Sequence, residues 1–274
     1  MVKIFLILFL SSFNFLFALQ SDVLDSTILN IVGENTYNRN KSFINKIFKN
    51  EPSFYKNGNL NIYKVISLLK DNGLLRFKFD KPQEFSAKFI AKTSPIFLLK
   101  SINRSLSYMG YSYFATSEAS YENDISIIKI SLLTEHIIDP IALLDELSKS
   151  GFFGINIKLN SPLEWEYTLS LVDSKIPDAR FLSRGNSLDL NDVSGEYWLE
   201  LSDSKGRLRI TKYNNASFNP KIVFFDKNLN VLDVVLLSNR NVANIDVVND
   251  CKFVQVSDYI SSHNLGNGIN IQFK

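Results

Sequence analysis

The chain of 274 residues contains only one cysteine, Cys251, and two histidines, His136 and His263. A single cysteine excludes an internal disulfide bond. Its setting, NDCKFVQV, alternates like a strand and predicts a small buried apolar residue, with intermolecular pairing as the alternative. Two histidines supply no His-x-x-His or His-Cys cluster. The sequence therefore predicts neither a metal site nor a cofactor site.

The chain also lacks an excess of charge of one sign. Its 30 Lys and Arg residues face 28 Asp and Glu residues, which leaves a formal net charge of +2. Nucleic-acid binding depends on concentrated positive charge, so this balance argues against a nucleic-acid partner. A hydrophobic content of 45% is enough to build a core. The length favours two compact units over one.

Long hydrophobic runs are missing except at the N-terminus, where residues 1–18 read MVKIFLILFLSSFNFLFA. Lys3, an apolar centre and the small residue Ala18 predict a signal peptide that is cleaved near Ala18. The alternative is an uncleaved anchor, but a membrane span needs about 20 apolar residues. We expect no transmembrane segment after cleavage. Abundant Asn, Ile, Lys and Phe are typical of an AT-rich bacterial genome, so we expect a periplasmic protein.

The region from residue 59 to 175 repeats a helix-then-strand order and predicts two small α+β modules, 59–120 and 121–175. Each predicted helix begins at a polar cap and ends at a glycine. The caps are Asn59 or Asn61, Ser94 before Pro95, and Asp139 before Pro140, and the glycines are Gly73, Gly110 and Gly151. Strands are predicted around Leu75–Phe79 and again after Pro82. Residues 19–58 are expected to form an N-terminal arm with one short helix that carries Phe43, Ile44, Ile47 and Phe48 on one face.

The sequence pattern changes in the C-terminal part of the chain. Residues 176–194 are polar and contain Pro177, which predicts a linker. From 195 to 274, short alternating runs recur at roughly ten-residue intervals between Asn, Asp, Ser and Gly, the pattern of an antiparallel β-sandwich. The run FFDKNLNVLDV predicts a hairpin with its tip at Asp226–Asn228, where Asn can adopt positive φ. The predicted fold class is thus α+β, with two small α/β-sandwich modules followed by an antiparallel β-sandwich.

Residues suited to catalysis are few. Glu135 and His136 could form an acid–base pair, but neighbouring residues on a strand point apart, so a loop histidine is the preferred interpretation. Glu164 and Glu166 alternate with Trp165 and Tyr167, which predicts the solvated side of a strand. No Gly-x-Ser-x-Gly motif occurs, and the GNG at 266–268 lacks the lysine and helix of a phosphate loop. We therefore expect a protein that is not an enzyme.

Aromatic residues are abundant. Tyr111 and Tyr113 belong to a tyrosine cluster in the first module, and Tyr197 and Trp198 open the sandwich. Such side chains can stack on sugars or peptides, although strand propensity and core filling also explain them. Because Tyr197 and Trp198 are consecutive, one of them must face outward on a regular strand. These four residues are the candidate binding residues, and Trp198 is the first to test.

The stretch NIYKVISLLKDNGLLRFKFDKPQEFSAKFIAKTSPIFLLKSINRSLSYMGYSYF resembles the short N-terminal domain of secretins and TonB-dependent receptors. The order of helix, strand, second strand, helix and strand is similar over residues 62–79 and 94–114. The following ISLLTEHIIDPIALLDELSKSGFFGINIKL resembles the ring-building module of secretins, and the last part is similar to jelly-roll domains. No secretin pore domain follows. The resemblance implies periplasmic protein–protein docking without pore formation.

These patterns lead to two hypotheses. The first is a non-enzymatic periplasmic scaffold or adaptor, which docks through edge strands and helix faces onto an envelope assembly such as a secretion apparatus or flagellar motor. The second is a periplasmic glycan-binding protein, with the C-terminal sandwich as reader and Trp198 and Tyr197 as stacking residues.

Overall fold

A computed structural model describes residues 22–56, 59–75, 77–191, 195–213 and 218–274. The predicted signal peptide, residues 1–18, lies outside the described residues. The chain divides into two compact units, Met1–Val172 and Asp173–Lys274, here called unit 1 and unit 2. None of the described helices is both long and apolar enough to cross a membrane.

The described part of unit 1 begins with two helices, α1 at residues 22–32 and α2 at Glu34–Ile47. Gly33, at φ 78°, separates them. A short turn of 3-10 helix, Glu51–Phe54, and the two-residue strands β1 (Tyr55–Lys56) and β2 (Asn59–Leu60) follow. The predicted short helix is therefore longer than expected. A second helix was missed, although its buried residues are spaced for one helical face: Leu24, Ile28 and Ile31.

Three capped helices follow, namely α3 (Ile62–Asp71), α4 (Pro95–Tyr108) and α5 (Pro140–Lys149). Backbone N–H groups in the first turn of these helices donate hydrogen bonds to the side chains of Asn61, Ser94 and Asp139, at 3.1, 3.3 and 2.9 Å. The glycines after the helices have positive φ, which a residue with a Cβ adopts at a cost. These are Gly73, Gly110 and Gly151. The predicted helix starts and stops are confirmed, with Asn61 rather than Asn59 as the first cap.

Five strands of unit 1 form one sheet in the order β4-β5-β3-β7-β6. They are β3 (Lys78–Lys92), β4 (Ala115–Glu122), β5 (Ile125–His136), β6 (Phe152–Ser161) and β7 (Glu164–Leu171). Strands β3 and β7 pair in parallel, and the other pairs are antiparallel. The expectation of two separate modules is wrong here, because β7 from the second predicted module inserts beside β3 from the first.

The long strand β3 also corrects the prediction of two strands around Pro82. It runs through Pro82, and its register against β5 shifts between Lys78 and Gln83. Proline cannot donate to a ladder, so a break in the pairing accommodates it. Beyond this point the side chains alternate, and α3, α4 and α5 cover one face of the sheet. That covered face holds the core of the sheet, including Phe85, Phe89, Ile130, Trp165 and Tyr167.

Unit 2 contains two mostly antiparallel sheets that share one hydrophobic core, an arrangement compatible with a β-sandwich. The five-stranded sheet has the order β13-β12-β15-β10-β8, and the four-stranded sheet has the order β14-β11-β16-β9. The strands are β8 (Arg180–Leu182), β9 (Ser187–Leu190), β10 (Glu196–Leu201), β11 (Arg207–Lys212), β12 (Pro220–Phe225), β13 (Val231–Leu236), β14 (Val242–Asp246), β15 (Phe253–Asp258) and β16 (Ile269–Phe273).

The linker predicted at 176–194 is wrong over much of its length, because β8 and β9 belong to the two sheets of unit 2. Strand β8 pairs in parallel with β10, and β9 pairs with β16. Their apolar residues Leu182 and Leu190 are buried in the shared core. Each strand buries too few apolar residues to show an alternating pattern against its polar surroundings.

Candidate functional site

Of the predicted aromatic pair in unit 2, one residue lies inside the core and the other lies outside. Tyr197 is 2% exposed, and its hydroxyl donates to the Leu265 carbonyl at 3.0 Å. Its ring is therefore not available for stacking on a ligand. Trp198 lies on the outer face, half-buried, with its ring stacked on Phe225 at a centroid distance of 5.2 Å. Its indole N–H donates to Glu196 at 2.6 Å.

The other two candidates, Tyr111 and Tyr113, belong to unit 1. Tyr113 is 93% exposed in the segment between α4 and β4. Tyr111 is half-buried, and burial together with the nearby charge of Asp139 raises its pKa. The structure thus assigns the four predicted binding residues to two different units and to three different environments.

The most exposed apolar strand in unit 2 is β13, which contains no aromatic residue. Strand β13 lies at the edge of its sheet and, among the described residues, pairs only with β12. Val231, Val234 and Leu236 are 51%, 45% and 57% exposed. An apolar edge strand with open side chains can pair with another chain. The alternating VLDVVL pattern predicted the strand, but whether a strand lies at an edge depends on non-local pairing.

The hydrogen-bond pattern defines which backbone groups of β13 face the open edge. Leu237 donates its N–H to the Pro220 carbonyl at 3.0 Å, so this position bonds toward β12. In an antiparallel pair the residues that bond to the neighbour alternate with those that point away. Val234 and Leu236 therefore direct their N–H and C=O groups toward the open edge. These groups can accept from and donate to an added strand, once the N–H of Val234 leaves the Asp233 carboxylate that accepts it at 2.8 Å.

The exposed apolar side chains of β13 lie next to buried apolar residues of its own sheet. Val223 pairs with Val234 and Phe225 pairs with Val231, so the outer faces of β12 and β13 are continuous. Val223 and Phe225 are 5% and 6% exposed. Trp198 then stacks on Phe225. We call the exposed side chains of Val231, Val234 and Leu236 the β13 surface, which lies beside these buried residues.

The turn before β13 is held by one carboxylate. Asp226 accepts the backbone N–H groups of Asn228 and Asn230, both at 2.8 Å, and the side-chain amide of Asn230 at 2.9 Å. The predicted hairpin is present, but the residue with positive φ is Leu229, at 59°, rather than Asn228. Leu229 is fully buried, and this burial stabilises an otherwise unfavourable conformation. The turn therefore anchors the start of β13.

The carboxylates predicted on the solvated side of β7 lie there. Glu164 bonds to Lys129 at 2.7 Å, and Glu166 lies 3.9 Å from Lys88. On the face opposite the helices, the strand pairing places one charged residue of each of the five strands in a single row. The row runs Glu118, Lys129, Lys88, Glu166, Lys158. Lys129 and Lys88 are like charges on adjacent strands, and the contacts to Glu164 and Glu166 offset their repulsion, so these two carboxylates have a structural role.

The remaining candidates for chemistry do not converge. His136, at the end of β5, and His263 are both exposed. In the described ranges no group of three or more His, Cys, Asp or Glu residues could hold a metal ion. A groove of about 640 Å³ in unit 1 lies between α2 and the start of β3. Arg39 and Lys78 are the ionisable residues among its described lining, so it contains no acid–base pair.

No protein-family model matches the chain, and no curated protein matches it. Among solved structures, a fucose-binding module from Streptococcus pneumoniae is 15% identical, with a TM-score of 0.24 over 32% of this chain and 67% of that chain. A second fucose-binding module from that organism, SpX-3, is 17% identical, with a TM-score of 0.23 over 30% of this chain and 67% of that chain. The secreted serine protease VesC from Vibrio cholerae is 11% identical, with a TM-score of 0.20 over 59% of this chain and 40% of that chain. Similarities at this level identify neither a fold nor a ligand.

Proposed function

We propose that the protein is a non-enzymatic periplasmic adaptor that binds an extended segment of a cell-envelope protein as an added strand beside β13. The observation that carries the proposal is the open edge of β13, where Val234 and Leu236 combine outward backbone groups with exposed apolar side chains. Main-chain hydrogen bonds would supply affinity in this mode, and alternate side chains would supply specificity.

The extent of the β13 surface supports a docking role. Isolated exposed apolar residues are normal, whereas a contiguous apolar area next to an open strand edge marks an interaction site. The Asp226 turn holds β13 in place before binding. A pre-organised strand loses little conformational entropy when a partner adds to it. The envelope location rests on the N-terminal segment 1–18 and on the secretin-like resemblance of residues 62–79 and 94–114.

A photo-crosslinking experiment tests this function. Benzoylphenylalanine replaces Leu236 at the open edge of β13 or, as the matched control, Phe181 on β8 at the opposite edge of the same sheet. Phe181 is 61% exposed, close to the 57% of Leu236. We expect one envelope protein to crosslink from position 236 and not from 181, and to be lost when Val234→Lys is added. Identical products from both positions, or no product from 236, would reject the proposal.

Glycan binding is a second candidate because Trp198 is the outward member of its aromatic pair. An indole ring on an outer sheet face can stack on a sugar ring. Trp165 is fully buried in unit 1, so a Trp165→Phe background leaves Trp198 as the emitting tryptophan. Peptidoglycan fragments should shift its emission if they bind there. An unchanged spectrum at saturating concentrations would exclude this candidate.

A further inference from the structure

Asp233 is the one charged residue of the edge strand β13. It pairs with Phe224, which lies in the core, yet Asp233 itself is exposed. Its carboxylate accepts the backbone N–H of Val234 at 2.8 Å. Phe224 pairs with Asp233 and Phe225 pairs with Val231, so Leu232, next to Asp233, is the extra residue of a bulge in β13. Charged side chains and bulges on edges limit unspecific strand pairing.

Addition of a strand changes the surroundings of this carboxylate. The carbonyl of an incoming strand would take the N–H of Val234, because that group points to the open edge. Asp233 would then lose its donor and become less solvated. A carboxylate that is desolvated without a donor costs free energy. The residue of the incoming strand that lies directly across from Asp233 would form a non-hydrogen-bonded pair with it, and side chains approach most closely in such pairs.

A second copy of this chain cannot supply the missing donor. The symmetric antiparallel registers that use most of β13 place Asp233 opposite Asp233, Val235 or Leu237 of the second copy. Two carboxylates repel each other, and Val and Leu side chains have no donor. The same strand that is open for docking is therefore unsuited to pairing with itself.

We infer that the strand bound at β13 carries a basic residue opposite Asp233, and that this carboxylate excludes a second copy from the edge. The inference rests on the proposed function, since it requires a strand at β13. Specificity of this kind combines attraction to the correct partner with a penalty for the wrong one.

Labelled ten-residue peptides of alternating Val and Thr, with a central Lys or a central Glu, test the inference by fluorescence anisotropy. A peptide with the Lys moved to one end controls for net charge. The wild-type chain should bind the central-Lys peptide about 5-fold more tightly than the central-Glu peptide. Asp233→Lys should reverse the preference, and Asp233→Asn should remove it.

The outcomes separate this inference from the proposed function. If all peptides bind equally and Leu236→Lys weakens them all, strand addition stands and the basic-residue requirement is wrong. If no peptide binds, or Leu236→Lys has no effect, the proposed function itself fails. Sedimentation velocity checks self-exclusion: the wild type should be monomeric, and Asp233→Val should shift it toward a dimer. A wild-type dimer that Leu236→Lys dissociates would overturn the exclusion of a second copy.

Discussion

Tyr167→Phe should stabilise unit 1. Tyr167 is fully buried on the helix-covered face of β7, and its hydroxyl has no hydrogen-bond partner among the described residues. Burial, followed by the charges of Asp139 and Tyr111, raises its pKa, so the hydroxyl remains a neutral donor. An unsatisfied buried hydroxyl costs about 1–3 kcal/mol. The ring stays stacked on Phe89, at 5.2 Å, in the variant.

Loss of one oxygen leaves a void of roughly 10 Å³, which costs only a few tenths of a kcal/mol. The net expectation is a gain of about 1 kcal/mol in the free energy of unfolding of unit 1, measured by urea denaturation with Trp165 fluorescence in a Trp198→Phe background.

Tyr197→Phe in unit 2 is the matched control, because the same atom is removed from another buried tyrosine. Here the hydroxyl donates to the Leu265 carbonyl, which also accepts the Gly268 N–H at 2.9 Å. The hydrogen bond to this carbonyl is lost, so unit 2 should be destabilised by about 1 kcal/mol. A destabilised Tyr167→Phe variant would show that the hydroxyl is satisfied and would refute the reasoning.

Three further predictions concern unit 2. Gly206→Ala should lower the urea midpoint of this unit more than Gly185→Ala does, and equal losses would contradict this reasoning. Both glycines have positive φ, but a Cβ at 206 would clash with the Lys274 carbonyl oxygen, whereas a Cβ at 185 meets nothing within 4 Å. Burial opposes ionisation of Asp258, but donated backbone N–H groups outweigh it and lower the pKa of this carboxyl. Since the folded pKa lies below the unfolded one, ionised Asp258 stabilises unit 2 above the unfolded pKa of about 4, and this stabilisation is lost as the pH falls through the folded pKa. The urea midpoint should therefore depend less on pH in Asp258→Asn. Burial raises the pKa of the Cys251 thiol to about 12, so a disulfide reagent at pH 8 should label it only after unit 2 unfolds, and rapid labelling of the native protein would contradict this.

Helices α3, α4 and α5 of unit 1 could be predicted because their ends depend on neighbouring residues. Ser94 and Asp139 accept N–H groups two or three residues later, and Gly110 ends α4 through its own backbone conformation. The alternation of Trp165 and Tyr167 with Glu164 and Glu166 likewise predicted which side of β7 is buried. Such signals require no knowledge of distant parts of the chain.

The sheet order could not be predicted in the same way. The parallel pairing of β3 with β7 joins Ser86 to Glu164, and nothing in either strand specifies the other. The candidate site shows the same limit. Trp198 could be singled out because consecutive residues face opposite ways, and the structure does place it on the outer face. The position of β13 at an edge depends instead on which strands fail to pair with it.

The β3–β7 pairing also determines when unit 1 can become stable. Strand β3 lies in the middle of the sheet, yet one of its two neighbours ends at Leu171, the last strand residue of the unit. A chain delivered from its N-terminus would keep one side of β3 unpaired until almost the whole unit has emerged. Closure of so long a loop is slow and leaves intermediates prone to association. A truncated chain that ends near residue 160 should consequently aggregate rather than persist as a smaller folded piece.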